Sequence, residues 1–376
     1  MTTPLAGIRV VEFGHYIAAP AATQMLSDLG AEVIKIEPPG GDQARGIGAY
    51  GEGIVLAFNR GKRSVVLDLN RDEDRDTALA LVAEADVLVQ NLRAGTLARF
   101  GLGPDDLRPA HPRLVYVSVS GFSSKGPSAR RPGLDIAAQA ESGLMSINGE
   151  QDGDPLRVGF PIADVAASYA VVQAVLAALL RRERTGEGGV AEVNLLDAAI
   201  HLQSAMWGEW HVSGKEPRRK GNGQATVAPA ADLVRTADGT IVLSAYTAEH
   251  FARLCRLIGK TWMLDDPRFA DNPSRVANRT ALLDEISGAL GVHKTAECLA
   301  LLAEHGIVAA EVRDYGDVAA AEDVRASGIL TTGVDPDGGR YPIPSLPFAL
   351  DGVEPPAEQA VPRPGADSGS PTWRTT

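Results

Sequence analysis

The sequence predicts an α/β protein: a parallel sheet covered by helices, with a smaller α+β domain after it. Three observations carry that expectation. Short apolar runs alternate with helical patterns over the first 120 residues, as in a sheet whose strands are joined by crossover helices. A hairpin pattern and a series of helices follow beyond residue 230. Apolar residues make up 44% and charged residues 22% of the 376, ordinary values for a chain long enough for roughly two to three domains.

A first strand is expected over residues 8–13. Pro20 suits a first helical turn, Ala21, Ala22, Met25, Leu26 and Leu29 continue the pattern, and Gly30 stops it. A second strand over 33–36 is closed by the turn Pro38-Pro39-Gly40-Gly41-Asp42. A strand at 65–69, a helix at 72–85, a strand at 87–89, a short helix at 96–100 and a strand at 114–119 complete the series. An Ala-rich helix is expected over 163–183. Its apolar stretch, 162–180, holds seven alanines with Asp164 and Gln173, which favours a buried core helix over a membrane span. A strand at 190–195 leads into a helix through His201 and Trp207, and 215–223 reads as a linker. The hairpin at 232–236 and 240–245 turns on Asp238-Gly239. Helices at 248–258, 274–289, 294–304 and 316–326, with a strand at 307–312, build the second domain. The last fifty residues are rich in Pro and Gly, and the tail after Pro362 is expected to be mobile.

Charge and motifs narrow the function. Lys+Arg 36 against Asp+Glu 48 gives a net charge of −12, a poor match for nucleic acid or an anionic membrane. Cys255 and Cys298 lack CxxC spacing, and none of the seven histidines pairs with another at i+3 or i+4, so no metal is expected. The N-terminus lacks a signal-peptide pattern, and a cytoplasmic protein is expected. Gly46-Ile47-Gly48-Ala49-Tyr50-Gly51 spells a dinucleotide fingerprint, but a Pro-Gly turn precedes it and no clear helix is expected after it. No GxSxG hydrolase elbow is present.

What remains is a set of loops at the carboxyl ends of the strands, where open α/β sheets bind ligands. They include Gly14 to Pro20, Gln90 to Arg99, Ser120 to Pro127 and Arg130 to Asp135, with Asn59-Arg60-Gly61-Lys62-Arg63 upstream. Cations and glycines gathered at one sheet edge of an acidic chain suggest a polyanionic ligand. Asp135 follows a Pro-Gly turn and opens a helical run. It reads either as an N-cap or as a carboxylate nucleophile favoured at a helix N-terminus.

At these loops the chain resembles the class III coenzyme A-transferase family, which includes formyl-CoA transferase, carnitine CoA-transferase and α-methylacyl-CoA racemase. The segments that carry the resemblance are PLAGIRVVEFGHYIAAPAATQMLSDLGAEVIKIEPPGGDQAR, NRGKRSVVLDL, ADVLVQNLRAGTLARFGLGPDDLR, VYVSVSGFSSKGP, RPGLDIAAQAESGLM and AVLAALLRRERTGEGGVAEVNLLDAAI, with LVRTADGTIVLSA further on. The resemblance implies a large Rossmann-like CoA-binding domain over 1–200, a linker over 201–224, a small α+β domain over 225–320 and a return segment over 321–376. It also implies an interlocked homodimer, and the family's last helix would stand about where the chain ends. The substrates implied are an acyl-CoA and a free carboxylic acid, with no tightly bound cofactor.

The family's nucleophilic aspartate falls on Asp135, implying aspartyl anhydride and aspartyl-CoA thioester intermediates. The implied CoA contacts fall on Ile17, Ala18, Leu67, Asp68, Leu69, Asn70, Asn91, Leu92, Arg93, Arg99, Val119, Ser120, Gly121 and Phe122. Pro38, Asn70 and Ser120 stand where formyl-CoA transferase has basic residues, so the CoA phosphates are expected to lean on Arg99 and Arg93, with Arg45, Lys62 and Lys125 as further candidates. Ile17 replaces a glutamine, and the formyl enzyme's glycine loop is missing between 220 and 232, which disfavours formate and oxalate as acids. Two other readings stay open. A racemase would need an acid/base pair across the α-carbon, and it matches Asp164 but has Leu134 where that branch carries a histidine. A CoA-binding protein without transferase activity would keep the basic loops alone.

Overall fold

The computed structural model describes residues 3–222, 230–245, 247–351, 353, 356–369 and 371–374. The chain divides into two compact units, one of Met1–Leu144, Arg157–Ser213 and Glu322–Thr376, the other of Met145–Leu156 and Gly214–Ala321.

The first unit is built on six strands: β1 Arg9–Phe13, β2 Glu32–Glu37, β3 Arg63–Val66, β4 Val87–Gln90, β5 Val115–Ser120 and β6 Gly189–Asn194. They pair in the order β3-β2-β1-β4-β5-β6, and every pair is parallel. Both faces are covered, so the strands are mainly apolar and side chains alternate between two cores. Val10, Val33, Val87, Val89, Val115 and Val117 face one core together with the helices α1 Ala18–Asp28 and Ile162–Thr185. Val11, Ile34, Leu88 and Tyr116 face the other, with Ala78, Leu81 and Val82 of Asp72–Ala83. The order reverses between β1 and β4, which opens a crevice at the carboxyl ends of those strands.

Several expectations change. A helix, Gly48–Phe58, does open inside the glycine motif. Gly51 is needed there because a Cβ would stand 1.8 Å from the carbonyl oxygen of Ala44. The fingerprint still does not form, since a 3₁₀ turn, Gln43–Gly46, rather than a strand runs into the motif. The Ala-rich helix buries one face through Ala163, Ala167, Val171, Val175 and Leu179, while Tyr169, Leu176 and Leu180 on it are exposed. The stretch expected to be a linker from 201 carries a helix, Ser204–Ser213, and the division between units falls after it.

The return segment forms a sheet of its own, β10 Leu330–Val334 between β11 Arg340–Pro344 and β12 Glu358–Ala360. The tail expected to be mobile packs instead. Asp367 bonds the Arg63 side chain and the Ser64 amide, and Trp373 is buried with its indole N–H on the Leu81 carbonyl at 3.2 Å.

In the second unit, β7 Ala231–Arg235, β8 Thr240–Ser244 and β9 Val308–Glu311 form an antiparallel sheet. Its core gathers Phe251, Leu254, Met263, Phe269, Leu282, Ile286 and both free cysteines. The expected helix at 274–289 is broken at Asn278 into Asn272–Ala277 and Arg279–Leu290. Asp238 in the hairpin turn accepts bonds from the amide and hydroxyl of Thr295 at 2.7 and 2.9 Å, tying the turn to the next helix.

Candidate active site

Asp135 is the first residue of the short helix Asp135–Glu141, whose N-cap is Leu134 without a side-chain bond. The expected N-cap role is therefore not what its carboxylate does. Oδ1 accepts from the amides of Ala163 at 2.8 Å and Asp164 at 3.4 Å, in the first turn of the long helix Ile162–Thr185. Oδ2 accepts from Gln139 Nε2 at 2.6 Å. Gln139 lies one helical turn on, is buried, and is fixed by the Val158 amide on its Oε1 at 3.0 Å. The start of a long helix, with its unpaired amides and positive dipole end, suits an anion.

Beside this carboxylate lies a second one. Burial and the charge on Asp135 together push the Asp164 carboxyl up to about 7. Among the described residues no lysine or arginine forms an ion pair with either aspartate. A carboxylate held by three N–H donors, next to a carboxyl that titrates near neutrality, can serve as a nucleophile with an acid or base at its side.

Glycines set the position of Asp135. The loop that carries it lies against the loop after β5, and a Cβ on Gly121 would come within 2.5 Å of the Gly133 Cα. Arg131 covers the Phe122 ring at 4.0 Å and pairs with Glu141. Only glycine at both positions lets the two chains approach this closely.

The CoA residues implied by the resemblance fall at the carboxyl ends of β1, β3, β4 and β5 or in the segments that follow them, Ala18 opening α1 and Arg99 lying in the 3₁₀ turn Ala98–Phe100. Their side chains divide. Ile17, Ala18, Leu67, Val119 and Phe122 are buried. Asp68, Leu69, Leu92 and Gly121 are partly exposed, and Asn70, Arg93, Arg99 and Ser120 are exposed. Asn70 bonds Asp68 Oδ1 within its turn, and Ser120 donates to the Phe122 carbonyl. Asn91 spends its whole amide on the main chain of His15, accepting from its N–H and donating to its carbonyl, both at 2.9 Å.

Three cations expected to face the ligand are committed elsewhere. Lys62 is buried, with Nζ at 2.6 Å from Glu12 and 2.8 Å from the Pro20 carbonyl. Arg60 is buried against Asp28 at 2.9 Å, and Arg63 pairs with Glu32 and Asp367. Arg45 lies 3.4 Å from Glu37. Lys125 is exposed. The missing region of the formyl enzyme's glycine loop lies largely outside the described residues.

Lys62 belongs to a buried network that residue patterns did not reveal. Lys35 Nζ reaches Glu12 at 2.6 Å, the Gly14 carbonyl at 2.7 Å and Asp42 at 2.9 Å. Burial would raise the Glu12 carboxyl, but Lys35 and Lys62 overcome it and hold the group at about 2. Burial outweighs Glu12 at Lys62 and pushes that ammonium down to about 8. The signal for this network was a charge inside an apolar strand, Glu12 in Val10-Val11-Glu12-Phe13 and Lys35 in Val33-Ile34-Lys35-Ile36. Gln139 was also legible, at the i+4 position from Asp135.

Against known proteins, a model of CoA-transferase family III matches residues 5–368. A probable fatty acyl-CoA transferase of Mycobacterium tuberculosis is 40% identical over 81% of this chain and 82% of its own length. Succinate–glutarate CoA-transferase of Agrobacterium fabrum is 36% identical over 92% and 89%, and acetyl-CoA:oxalate CoA-transferase of Acetobacter aceti 36% over 96% and 92%. The crystal structure of a CAIB/BAIF family protein from Brucella suis superposes with a TM-score of 0.88 at 34% identity, covering 98% of each chain.

Proposed function

The chain belongs to CoA-transferase family III, and we propose that it moves coenzyme A from an acyl-CoA to a free carboxylate through covalent intermediates on Asp135. The enzyme is a CoA-transferase; the route and its residues are the proposal. What carries it is the Asp135 carboxylate, pinned by two helix amides and Gln139 at the carboxyl edge of the sheet.

One carboxylate oxygen of Asp135 adds to the thioester carbonyl, the C–S bond breaks, and CoA leaves as the thiolate. The thiolate then attacks the aspartyl carbonyl of the mixed anhydride, releasing the donor acid and leaving an enzyme–CoA thioester. An acceptor carboxylate displaces the thiolate to form a second anhydride. The thiolate opens that anhydride at the acceptor carbonyl, which yields the new acyl-CoA and regenerates Asp135. No net proton is consumed. Each step exchanges one acyl bond for another, so the protein supplies position and stabilisation of developing negative charge. CoA lies, in this reading, along a Rossmann-like crevice beside Ile17, Ala18, Val119 and Phe122, and its exposed cations are Arg93 and Arg99. The chain acts as a homodimer, a reading supported by exposed Trp207, Trp210 and Val212 on Ser204–Ser213.

The acid is larger or more branched than formate or oxalate, because apolar Ile17 offers no hydrogen bond to a small polar acyl group. The relatives' names span fatty acyl, dicarboxylic and oxalate chemistry, so the deciding test is a panel. Acyl-CoA donors are crossed with free acids, formate and oxalate included, and products are read by mass spectrometry. Preferred transfer to longer or branched acids is expected; efficient formyl or oxalyl transfer would overturn the acid assignment.

One observation favours a second reading. A carboxyl at about 7 beside Asp135 is a usable acid or base for exchanging an α-proton, as a racemase requires. Leu134, 64% exposed at the position that would complete the pair, carries no proton. α-Deuterium uptake from D₂O without any transfer would establish the racemase.

A further inference from the structure

Tyr16 is the one non-glycine residue with a positive φ, +61°, among the described residues. That conformation costs a side-chain-bearing residue roughly five- to thirtyfold in population. It occurs in the turn leaving β1, at the point where the strand order reverses and just before Ile17 and Ala18. Strain of this kind persists only where its surroundings hold it.

Here they hold every step of the turn. The Gly14 carbonyl accepts from Lys35 at 2.7 Å. The His15 amide and carbonyl are both bonded to Asn91. The Tyr16 amide donates to Asp42 Oδ1 at 3.1 Å. Asp42 is itself buried and fixed, its amide on Glu37 at 2.6 Å, Oδ1 shared with the Ala44 amide at 2.9 Å, and Oδ2 on Lys35 at 2.9 Å. Even Gly14 is constrained, since a Cβ there would stand 2.7 Å from Glu12 Oε1. Ile17 and Ala18, which follow at once, are buried, and the φ of Tyr16 sets the course on which the main chain enters them.

We propose that Asp42 is a positioning residue for coenzyme A, holding Tyr16 in its left-handed conformation so that the turn after β1 is already set for the ligand. The proposal rests on the reading of this sheet edge as the coenzyme A site. A turn that reaches its binding conformation only part of the time weakens apparent affinity by that fraction. Glycine adopts positive φ about as readily as negative, so it substitutes for the clamp.

The test is calorimetric titration of the full-length protein with coenzyme A. Asp42→Ala is expected to weaken the Kd roughly tenfold. Asp42→Asn keeps an acceptor for the Tyr16 amide and stays within about threefold of wild type. Adding Tyr16→Gly to Asp42→Ala returns the Kd to within about threefold, although loss of the ring lowers Tm. If Asp42→Ala does not fold, Asp42→Ser, whose side chain is one bond shorter, carries the same comparison with and without Tyr16→Gly. An unchanged Kd in the clamp variant, or a loss that Tyr16→Gly does not recover, would overturn the proposal. Absence of coenzyme A binding in the wild type would overturn the reading of the site and the clamp with it.

Discussion

The Glu12 network and the Asp135 pair are both withdrawn from water in the same unit, yet their charges are arranged in opposite ways. Glu12 meets two lysines, and its carboxyl falls to about 2 although burial alone would raise it. Asp164 meets another aspartate, so burial and the neighbouring charge act together and its carboxyl climbs to about 7. Where the buried Glu12 meets two cations, its carboxylate is locked in the ionised state and serves the scaffold. Where like charges are left facing each other without a cation, the site keeps a group that changes state near neutral pH. Burial sets the scale of the effect in both places, and the sign of the neighbour decides what the group is for.

The largest expected effect breaks the second arrangement. Asp135→Asn preserves shape but removes the carboxylate charge, and on the proposed covalent route transfer should fall at least about a thousandfold. The fold should survive at a cost of about 1 kcal/mol, because the amide keeps one acceptor for the Ala163 and Asp164 amides but sets a second donor against Gln139. Transfer assays alongside urea unfolding separate the two effects. Full activity in the folded variant would remove Asp135 from the reaction. Mass spectrometry of the wild-type peptide around Asp135, during turnover, should show the CoA thioester.

Breaking the first arrangement should cost stability instead of rate. Glu12→Gln leaves Lys35 and Lys62 buried without their shared counter-charge, an expected loss of about 3–5 kcal/mol. The midpoint of urea unfolding reads it. A loss below about 1 kcal/mol would mean that Asp42 and the Gly14 and Pro20 carbonyls suffice for the two ammonium groups.

These two regions were unequally legible. Asp135 was readable because a turn, a helix start and a family pattern all converge on one residue. The Glu12 network was not, because its members come from β1, β2 and the residues before β3, and only the sheet order brings them together. Lys62 therefore looked like a phosphate ligand beside Arg60 and Arg63, when all three hold the scaffold. The same physics explains the fold. The parallel strands announced themselves as local apolar runs, whereas β10, β11 and β12 depend on pairing between residues up to 26 apart along Pro- and Gly-rich chain. The helix Gly48–Phe58 was hidden by three glycines, one of which is required by its packing and none of which favours a helix by itself.

The comparison sharpens further at the cations. Unlike Lys62, Arg99 is exposed at the sheet edge, 5.8 Å from the Phe100 ring, with no acidic group paired to it among the described residues. Arg99→Ala should weaken coenzyme A binding by about 1–3 kcal/mol, the worth of a charge-assisted hydrogen bond, with stability nearly untouched. Equal affinities in calorimetry would move the phosphates to Arg93 or Lys125.

The smallest effect tests the like-charged pair through stability alone. An aspartate raised to about 7 in the native state stays protonated there after its unfolded counterpart, near 3.8, has released the proton. Between those values the native state binds more protons than the unfolded state, so stability falls as pH rises. The stabilisation from this group is complete below about pH 4 and gone once pH has passed the native value near 7. Asp164→Asn removes the titration while keeping a neutral side chain of the same size. Relative to wild type, its Tm should gain with each step from pH 5 to pH 8, by a few degrees in all. Parallel Tm curves for the two proteins would mean that Asp164 is ionised throughout this range. Asp135 would then stand beside a permanent negative charge, and the contrast with the Glu12 network would lose its chemical half.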